Sequence, residues 1–330
     1  MKPKTTYLLI VVMAILALCG SRVRAECIEF TTDGVIETGD VYGCVRILND
    51  ATVDMTGGTV TNYIALYDTG TLNLSGGSVD RIWANDSSTI NITGGNLNGL
   101  YIWEQSSANI YDVEMTDGYL VVYEQSTLNI YGGNMSFGHA KIHTDAPVNI
   151  FAGSVSFDYT NIDATLNILG GNINFANGLD SCPDNISIYG HDFNYDPNSL
   201  FFAGSLLYAG QITISHLPPS EYECLNLVVT PPGVVEIVRT LRQKSETLGL
   251  IDQMLRAEYA AYDALDELLQ TGDYGDFTKR DVVEAKQRVH SAIRHELQSE
   301  AALEKSIDKL NDALSVLNWQ APPPYIPPPQ

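Results

Sequence analysis

The sequence repeats one short phrase at an almost constant interval. The phrase reads TVDMTGG at 52–58, TLNLSGG at 71–77 and TINITGG at 89–95. It returns as TLNIYGG at 127–133 and TLNILGG at 165–171. The final glycines of the first three copies are 19 and then 18 residues apart. Because a fixed period of this size is typical of stacked supersecondary units, the sequence predicts a solenoid.

Each copy of the phrase has the pattern of a β-strand followed by a turn. Leu72 and Leu74 alternate with Thr71 and Asn73, and Gly-Gly then marks a turn. Successive side chains of a strand point to opposite faces, so the apolar pairs should face inward and stack from coil to coil. Further apolar columns precede and follow each phrase. The predicted fold class is mainly β, a parallel β-helix of about eight coils of roughly 19 residues.

The most regular polar feature is a column of asparagines that alternates with the apolar pairs. Stacked amides hydrogen-bond along such a column, so we interpret it as structural. Its members are Asn73, Asn91, Asn109, Asn129, Asn149 and Asn167.

Residues 1–25 have the pattern of a secretory signal peptide. Lys2 and Lys4 precede an apolar run at 7–18, and Val23-Arg24-Ala25 offers a cleavage site. We therefore expect an exported protein, located outside the cell, at the cell surface or in the periplasm. No later stretch approaches the roughly 18 apolar residues of a membrane span, so no transmembrane segment is expected in the mature chain.

The mature chain is strongly acidic. Removal of the leader leaves 14 Lys and Arg against 40 Asp and Glu. Such a chain repels nucleic acid, which excludes that class of partner, and attracts cations. It also keeps four cysteines, an even number that suggests disulfides in an exported protein. We predict the pairs Cys27–Cys44 and Cys182–Cys224, with free buried thiols as the alternative.

Composition divides the mature chain into three regions. Residues 26–230 form the predicted β-helix, capped at both ends, at 27–43 and at 192–229. Residues 231–318 change to helical spacing and predict an antiparallel helical hairpin, with a short helix before it at 234–244 as an option. The proline-rich tail occupies 319–330.

The hairpin is expected to have a coiled-coil seam that supports self-association through residues 245–317. Thr278 and Asp281 resemble a capping box, with Asp in place of the usual Glu. Glu296 and Glu300 interrupt the apolar seam of the second helix, and Leu297 and Ala301 would replace them in an alternative register.

The repeat region resembles the pectate-lyase-like right-handed parallel β-helix superfold. It is most similar to the non-enzymatic β-helix repeat proteins that bacteria export, including surface and adhesin-like chains. The resemblance covers roughly residues 30–230 and rests on the [T]-[LI]-N-[LI]-x-G-G phrase. It implies right-handed coiling and an architecture, and it implies no particular activity.

A column of acids beside a column of aromatic residues is the candidate binding site. These positions come just before each turn and should stack roughly 5 Å apart. Aromatic faces with neighbouring carboxylates suit sugar rings, and carboxylates also suit Ca²⁺. The alternatives are a solvated turn edge, which keeps the chain soluble, and catalysis. The acids are Asp68, Asp86, Glu104 and Glu124, continued by Asp145 and Asp163 with a shift of one residue, and the aromatic residues are Tyr67, Trp103 and Tyr123, with Asn85 and His143 in line.

These patterns favour a non-catalytic exported scaffold or surface protein. The β-helix would act as a rigid spacer or display face, and the hairpin would mediate association. The rival hypothesis is a carbohydrate-binding or carbohydrate-active protein on the same scaffold. We predict no catalytic residue, no metal site from histidine spacing and no cofactor, with Ca²⁺ as the one ion that the acids suit.

Overall fold

The computed structural model describes residues 24–179, 186–223, 225–272 and 278–316, and those residues contain 19 strands and three α-helices. Residues 1–23 of the predicted leader, the predicted Cys182–Cys224 pair and the tail at 319–330 lie outside the described residues. The predicted fold class is confirmed: the chain is mainly β, a parallel solenoid of about eight coils followed by helices.

The strands alternate between long and short along most of the chain. They are β1 Arg24–Phe30, β2 Gly34–Ile36, β3 Val41–Ile47, β4 Thr52–Met55, β5 Thr59–Leu66, β6 Thr71–Leu74, β7 Ser78–Ala84, β8 Thr89–Ile92, β9 Asn96–Ile102, β10 Ser107–Ile110, β11 Glu114–Glu124, β12 Thr127–Ile130, β13 Asn134–Ile150, β14 Ser154–Ile168, β15 Asn172–Phe175, β16 Ile186–Asp196, β17 Phe201–Leu206, β18 Gln211–Ile214 and β19 Leu225–Val229.

The chain divides into two compact units. The first unit comprises Met1–Val148, Ser154–Thr165 and Ala176–Ser181. The second unit comprises Asn149–Gly153, Leu166–Phe175 and Cys182–Gln330.

Parallel ladders build the first unit. The short strands β2, β4, β6, β8, β10 and β12 pair one after another. The long strands β1, β3, β5, β7, β9, β11 and β13 also pair in parallel. A register shift divides the long strands, as between Val60 and Tyr63 in β5. Each coil therefore contributes three short segments, as the alternation in the sequence predicts.

The core of the first unit consists of apolar columns that run from coil to coil. In the short strands, Leu72 pairs with Ile90 and Leu74 pairs with Ile92, and all four side chains are fully buried. The strands read alternately half-buried and buried, which is the pattern predicted from Thr-Leu-Asn-Leu. Complete burial of a Leu or Ile side chain contributes about 1.5–3 kcal/mol, so the stacked columns stabilise the coils together.

The predicted asparagine column is a ladder of side-chain hydrogen bonds. In the first unit, the Nδ2 of Asn73 donates to Asp54, and Asn91, Asn109 and Asn129 each donate to the side chain one coil earlier, over 2.8–3.2 Å. In the second unit, Asn167 donates to Asn149 over 2.9 Å. The ladder begins one coil before the column that the sequence predicts, at an aspartate, because a carboxylate accepts the first amide bond.

The two glycines of the repeated phrase meet different requirements. A Cβ on Gly94 would lie 2.6 Å from the backbone oxygen of Ser75, so the first glycine allows one coil to approach the next. The second, Gly95, has a φ of +99°, a conformation that side chains disfavour. Gly-Gly therefore closes the turn and also sets the distance between coils.

The segment suggested as an N-terminal cap is a coil of the solenoid. It contains β1 and β2, which pair in parallel with β3 and β4. Cys27 is the register partner of Cys44, and the predicted disulfide between them is present. The covalent bond therefore joins the first coil to the second at the same position of the ladder.

The second unit changes from parallel to antiparallel pairing. Residues 166–168 of β14 pair with β16, and β16 pairs with β19, all in parallel. The strand β17 is antiparallel to both β16 and β18, and so interrupts the solenoid period. This interruption lies within the segment, 192–229, in which the sequence loses its repeat.

Three α-helices belong to the second unit: α1 Pro219–Tyr222, α2 Pro232–Thr271 and α3 Lys279–Val316. The optional short helix at 234–244 does not exist as a separate element, because α2 continues through it. Val234, Val235 and Val238 of α2 pack with Leu207 and with Leu314 of α3. The start of α2 and the end of α3 are thus in contact, and the two helices are antiparallel.

Polar contacts strengthen the start of α2. The Nε of Arg239 donates to the backbone oxygen of Leu207 over 3.0 Å, and the guanidinium of Arg242 lies 5.3 Å from the ring centre of Tyr208. Burial raises the pKa of Tyr208 to about 12, although the Arg242 charge acts in the opposite direction. Tyr208 therefore stays neutral at physiological pH and packs as a hydrophobic ring.

The capping box before α3 is present as predicted. The backbone N–H and the hydroxyl of Thr278 donate to the carboxylate of Asp281, and the N–H of Asp281 donates to the Thr278 hydroxyl. The hydrogen bond from the hydroxyl lowers the pKa of Asp281. These hydrogen bonds favour the ionised carboxylate of Asp281, so they stabilise the folded protein at pH values above the pKa that Asp281 has in the unfolded chain. The stabilisation is lost as the pH falls through the lower pKa that Asp281 has in the folded protein.

In α3, the side that packs against α2 contains the two glutamates that interrupt the predicted apolar seam. Glu296 and Glu300 are half-buried, whereas Leu297 and Ala301 are exposed, so the alternative register is wrong. Ile251 and Leu255 of α2 pack with Ile293 of α3. Tyr262, Val289 and Leu303 pack against this cluster, so apolar residues flank the two glutamates along the seam.

We predict that Gly94→Ala lowers the free energy of unfolding by about 1–3 kcal/mol, because the new Cβ would collide with the backbone of Ser75. Gly233→Ala in α2 is the matched control, since its Cβ meets nothing within 4 Å. That change should leave stability unchanged or slightly raised. Urea unfolding of both variants measures the difference, and equal effects would contradict the close-approach role of Gly94.

Candidate functional site

The acid column lies in a tight turn that repeats on successive coils of the first unit. The turn begins at a residue of the aromatic column: the oxygen of Trp103 accepts from the N–H of Ser106 over 3.2 Å. Tyr67 and Tyr123 begin equivalent turns. The acid comes second and has a positive φ, for example 63° at Glu104. Asp tolerates this left-handed conformation better than most residues, which explains part of the acid preference.

The carboxylates also bind the backbone of the neighbouring coil. Asp68 Oδ2 accepts from the N–H of Asn49 over 3.0 Å, and Asp86 Oδ2 accepts from the N–H of Asp68 over 2.8 Å. Glu104 Oε2 accepts from the N–H of Asp86 over 2.7 Å. Each of these acids therefore satisfies a backbone donor in the turn one coil earlier, and the column stabilises the stack.

The same turns form a shallow acidic depression of about 610 Å³. Its lining offers carboxylate, amide and hydroxyl oxygens. Among the described residues, no three His, Cys, Asp or Glu side chains are grouped closely enough to hold a metal ion. Binding of Ca²⁺ to the column stays a prediction. The lining residues are Asp86, Ser87, Glu104, Gln105, Glu124, Gln125 and Asp145.

The last two acids of the predicted column occupy other positions. Glu124 pairs with Thr144, so Asp145 lies one residue beyond the acid position although it still lines the depression. Asp163 approaches His143, with 3.9 Å between its Oδ2 and the ring Nδ1. It therefore lies beside the aromatic column, on strands that continue without the tight turn.

An aromatic face extends from that column across the outward side of the long strands. Trp83 stacks on Tyr63 with 4.6 Å between ring centres, and the Tyr101 ring lies 6.3 Å from Trp83. Tyr101 also contacts Trp103 at 6.0 Å. We define the aromatic face as Tyr63, Tyr67, Trp83, Tyr101, Trp103, Tyr119, Tyr123, His139, His143 and Tyr159.

Histidines continue the aromatic face on later coils. The ring of His139 stacks between those of Tyr119 and Tyr159, with centres 5.5 and 5.4 Å apart. Tyr123 and His143 stack in the same manner at 5.5 Å. Tyr119 and Tyr159 are 51% and 56% exposed, so large ring surfaces face the solvent.

Little positive charge accompanies this face. The segment 26–231 contains three basic residues against 24 acidic ones. Two of the three lie beside acids: Arg46 Nη1 is 2.9 Å from Glu29, and Arg81 Nε is 3.4 Å from Asp80. The hydrogen bond with Glu29 raises the pKa of Arg46. Partial burial raises the pKa of Tyr101, so its hydroxyl remains a neutral donor at physiological pH.

The alternation of side chains along a strand is the sequence signal for the aromatic residues of this face that lie outside the predicted column. Tyr101 lies two residues before Trp103, and Tyr119 and His139 lie four residues before Tyr123 and His143. Residues separated by two or four share one face of a strand, so these rings had to point outward with the predicted column. The sequence contains no comparable signal for the hydrogen bonds between the carboxylates and backbone N–H groups, because those bonds join different coils.

Comparisons of the sequence with family models and with curated proteins, and of the structure with solved structures, found no match. No helix in the described part of the chain is long and apolar enough to span a membrane. The resemblance to exported β-helix proteins thus stays a prediction beyond the shared solenoid architecture.

We predict that Asp86→Asn leaves stability almost unchanged, because asparagine keeps an acceptor oxygen and tolerates a positive φ. Asp86→Ala loses both properties and should lower the free energy of unfolding by about 1 kcal/mol. Urea unfolding with and without Ca²⁺ measures both effects. A large stabilisation by Ca²⁺ that Asp86→Asn removes would instead show that the acid acts as a metal ligand.

Proposed function

We propose that the protein is an exported, non-catalytic display scaffold whose aromatic face binds glycan chains at a cell surface. One observation supports this most strongly: ten aromatic and histidine rings line one outward side of the first unit, beside a column of carboxylates. Exposed apolar patches on proteins mark interaction sites, and rings that recur from coil to coil match a long, repeating ligand.

The chemistry of this face fits carbohydrates. Sugar rings present C–H groups that pack on the faces of Trp and Tyr, while their hydroxyls donate to carboxylates. Trp103 is followed directly by Glu104, and Tyr123 by Glu124, so each pair offers both kinds of contact. The coil repeat places such pairs in line, which favours an extended chain over a compact ligand.

The arrangement of the acids argues for binding without turnover. A glycosidase pairs two carboxylates across the bond to be cleaved, and the pKa of one is raised inside a cleft. Here the acids repeat along an open depression, and Asp68, Asp86 and Glu104 accept hydrogen bonds from the neighbouring coil. Carboxylate oxygens that accept hydrogen bonds in these turns can accept the hydrogens of sugar hydroxyls in the same way.

Other features are consistent with the location and with assembly. The Cys27–Cys44 disulfide favours an oxidising compartment, and the leader pattern at 1–25 favours export. We propose that the helical hairpin mediates self-association through residues 245–317. Several copies of one glycan-binding face would then increase avidity for a surface that carries many glycan chains.

We predict that the protein binds extended polysaccharides on an array of acidic and neutral glycans. Trp103→Ala and Tyr119→Ala should each weaken that binding about tenfold, because each removes a ring from the face. Tyr259→Ala is the matched control: its side chain is 48% exposed but lies on α2, so binding should be unchanged.

Equal binding by all three variants, or no binding to any glycan, would contradict the proposal. Reducing-end assays with the same polysaccharides test catalysis. Turnover abolished by Glu104→Gln or Glu124→Gln would establish a carbohydrate-active enzyme in place of a display scaffold.

A further inference from the structure

Helix α2 carries two rows of residues at heptad spacing. The inner row faces α3 and includes Ile251 and Leu255, which pack with Ile293. A second row is displaced from it by about a quarter of a turn around the helix, given 100° per residue. We call it the outer row, and it consists of Leu250, Met254, Ala257, Ala261, Ala264 and Leu268.

All six residues of the outer row are exposed in the structure. Leu250 is 57% exposed, Met254 48% and Leu268 37%. Their spacings alternate between four and three residues, which is the pattern of a helix that packs against another helix. The row therefore has the features of a helix interface, and no described residue covers it.

The seam of the hairpin mixes apolar and acidic side chains. Tyr262, Val289 and Leu303 pack against the cluster of Ile251, Leu255 and Ile293. The same seam also includes the half-buried Glu258, Glu296 and Glu300. Helices in proteins obtain most of their stability from packing an apolar face. A helix of 40 residues whose seam contains acidic side chains gains further stability if a second partner covers the outer row.

The order of side chains in the outer row is suited to pairing with itself. About a two-fold axis level with Tyr259, an antiparallel second copy places its Leu268 opposite Leu250 and its Ala264 opposite Met254. Ala257 and Ala261 then face each other at the centre, where small side chains allow the helices to approach closely. Leu250 of each copy then meets Leu268 of the other, which gives the reciprocal contacts of an isologous two-fold interface.

Charge opposes a second copy less in the helices than in the solenoid. The residues that flank the row on its outer side are Gln253, Ala260 and Glu267. The same two-fold arrangement brings Gln253 within two residues of the level of Glu267 of the other copy, about 3 Å along the axis, so the amide faces the carboxylate. In addition, residues 232–316 hold 11 Lys and Arg against 16 Asp and Glu, a far smaller imbalance than that of residues 26–231. Like-charge repulsion is therefore weakest in this part of the chain.

We propose that the outer row of α2 is the interface of an antiparallel homodimer with its two-fold axis level with Tyr259. This inference rests on the self-association proposed above and specifies its surface, partner and register.

Sedimentation equilibrium of the full mature chain tests the proposal. The unchanged protein should be a dimer at micromolar concentrations. Ala257→Glu combined with Ala261→Glu should make it a monomer, because four carboxylates would meet at the centre of the interface. Circular dichroism should be unchanged, since both alanines are exposed. The matched control, Ala301→Glu with Ala302→Glu on α3, should remain a dimer.

A second pair of variants tests the register. Gln253→Lys places a cation opposite Glu267 of the other copy and should tighten the dimer several-fold. Gln253→Glu places like charges there and should weaken it by a similar factor. Equal dissociation constants for the two variants would refute the antiparallel register.

Each remaining outcome also gives a decision. If the variant with Ala257→Glu and Ala261→Glu is still a dimer, the outer row is not the interface, although the protein does self-associate. If the unchanged protein is a monomer, both the outer-row interface and the proposed self-association are wrong. The glycan array tests the aromatic face independently of this result. If the unchanged protein is monomeric and removal of 319–330 makes it a dimer, the tail covers the row, and a second copy is not its normal occupant.

Discussion

Backbone hydrogen bonds between successive coils are the interaction on which the rest of the first unit depends. The N–H of Thr89 donates to the oxygen of Gly70, and the N–H of Ser107 donates to the oxygen of Ser88, one coil earlier. Each such bond requires the coils to approach closely, and Gly76 and Gly94 make that approach sterically possible. Once the ladder is formed, equivalent positions must stack, so every residue type in the repeat becomes a column.

Stacking decides which columns the protein can tolerate. Amides pair well with amides, which is why the asparagine column forms a continuous ladder. Carboxylates repel one another, and Asp68, Asp86 and Glu104 are accommodated because each binds a backbone N–H of the coil before it. Aromatic rings stack face to face on the outward side, where Trp83 covers Tyr63. The surface proposed to bind glycans thus has the same origin as the core, and both repeat with the coil.

The helical part follows a different physical rule. Its stability depends on side chains that pack along a seam, and that seam contains Glu258, Glu296 and Glu300. The exposed outer row fits a region that meets another chain. The proposed glycan-binding face on the solenoid and the proposed dimer interface on the helices then occupy separate parts of the sequence.

The sequence by itself determined the coil period, the buried Leu and Ile columns, the Gly-Gly turns, the Cys27–Cys44 bond and the capping box at Thr278, because each depends on local spacing. The tertiary structure alone decided what depends on the exact register between distant coils or helices. Asp163 lies beside His143 and outside the acid turn, the carboxylates bind the backbone one coil earlier, and the helical seam runs through Glu296. A shift of one residue changes these contacts while the sequence pattern looks the same.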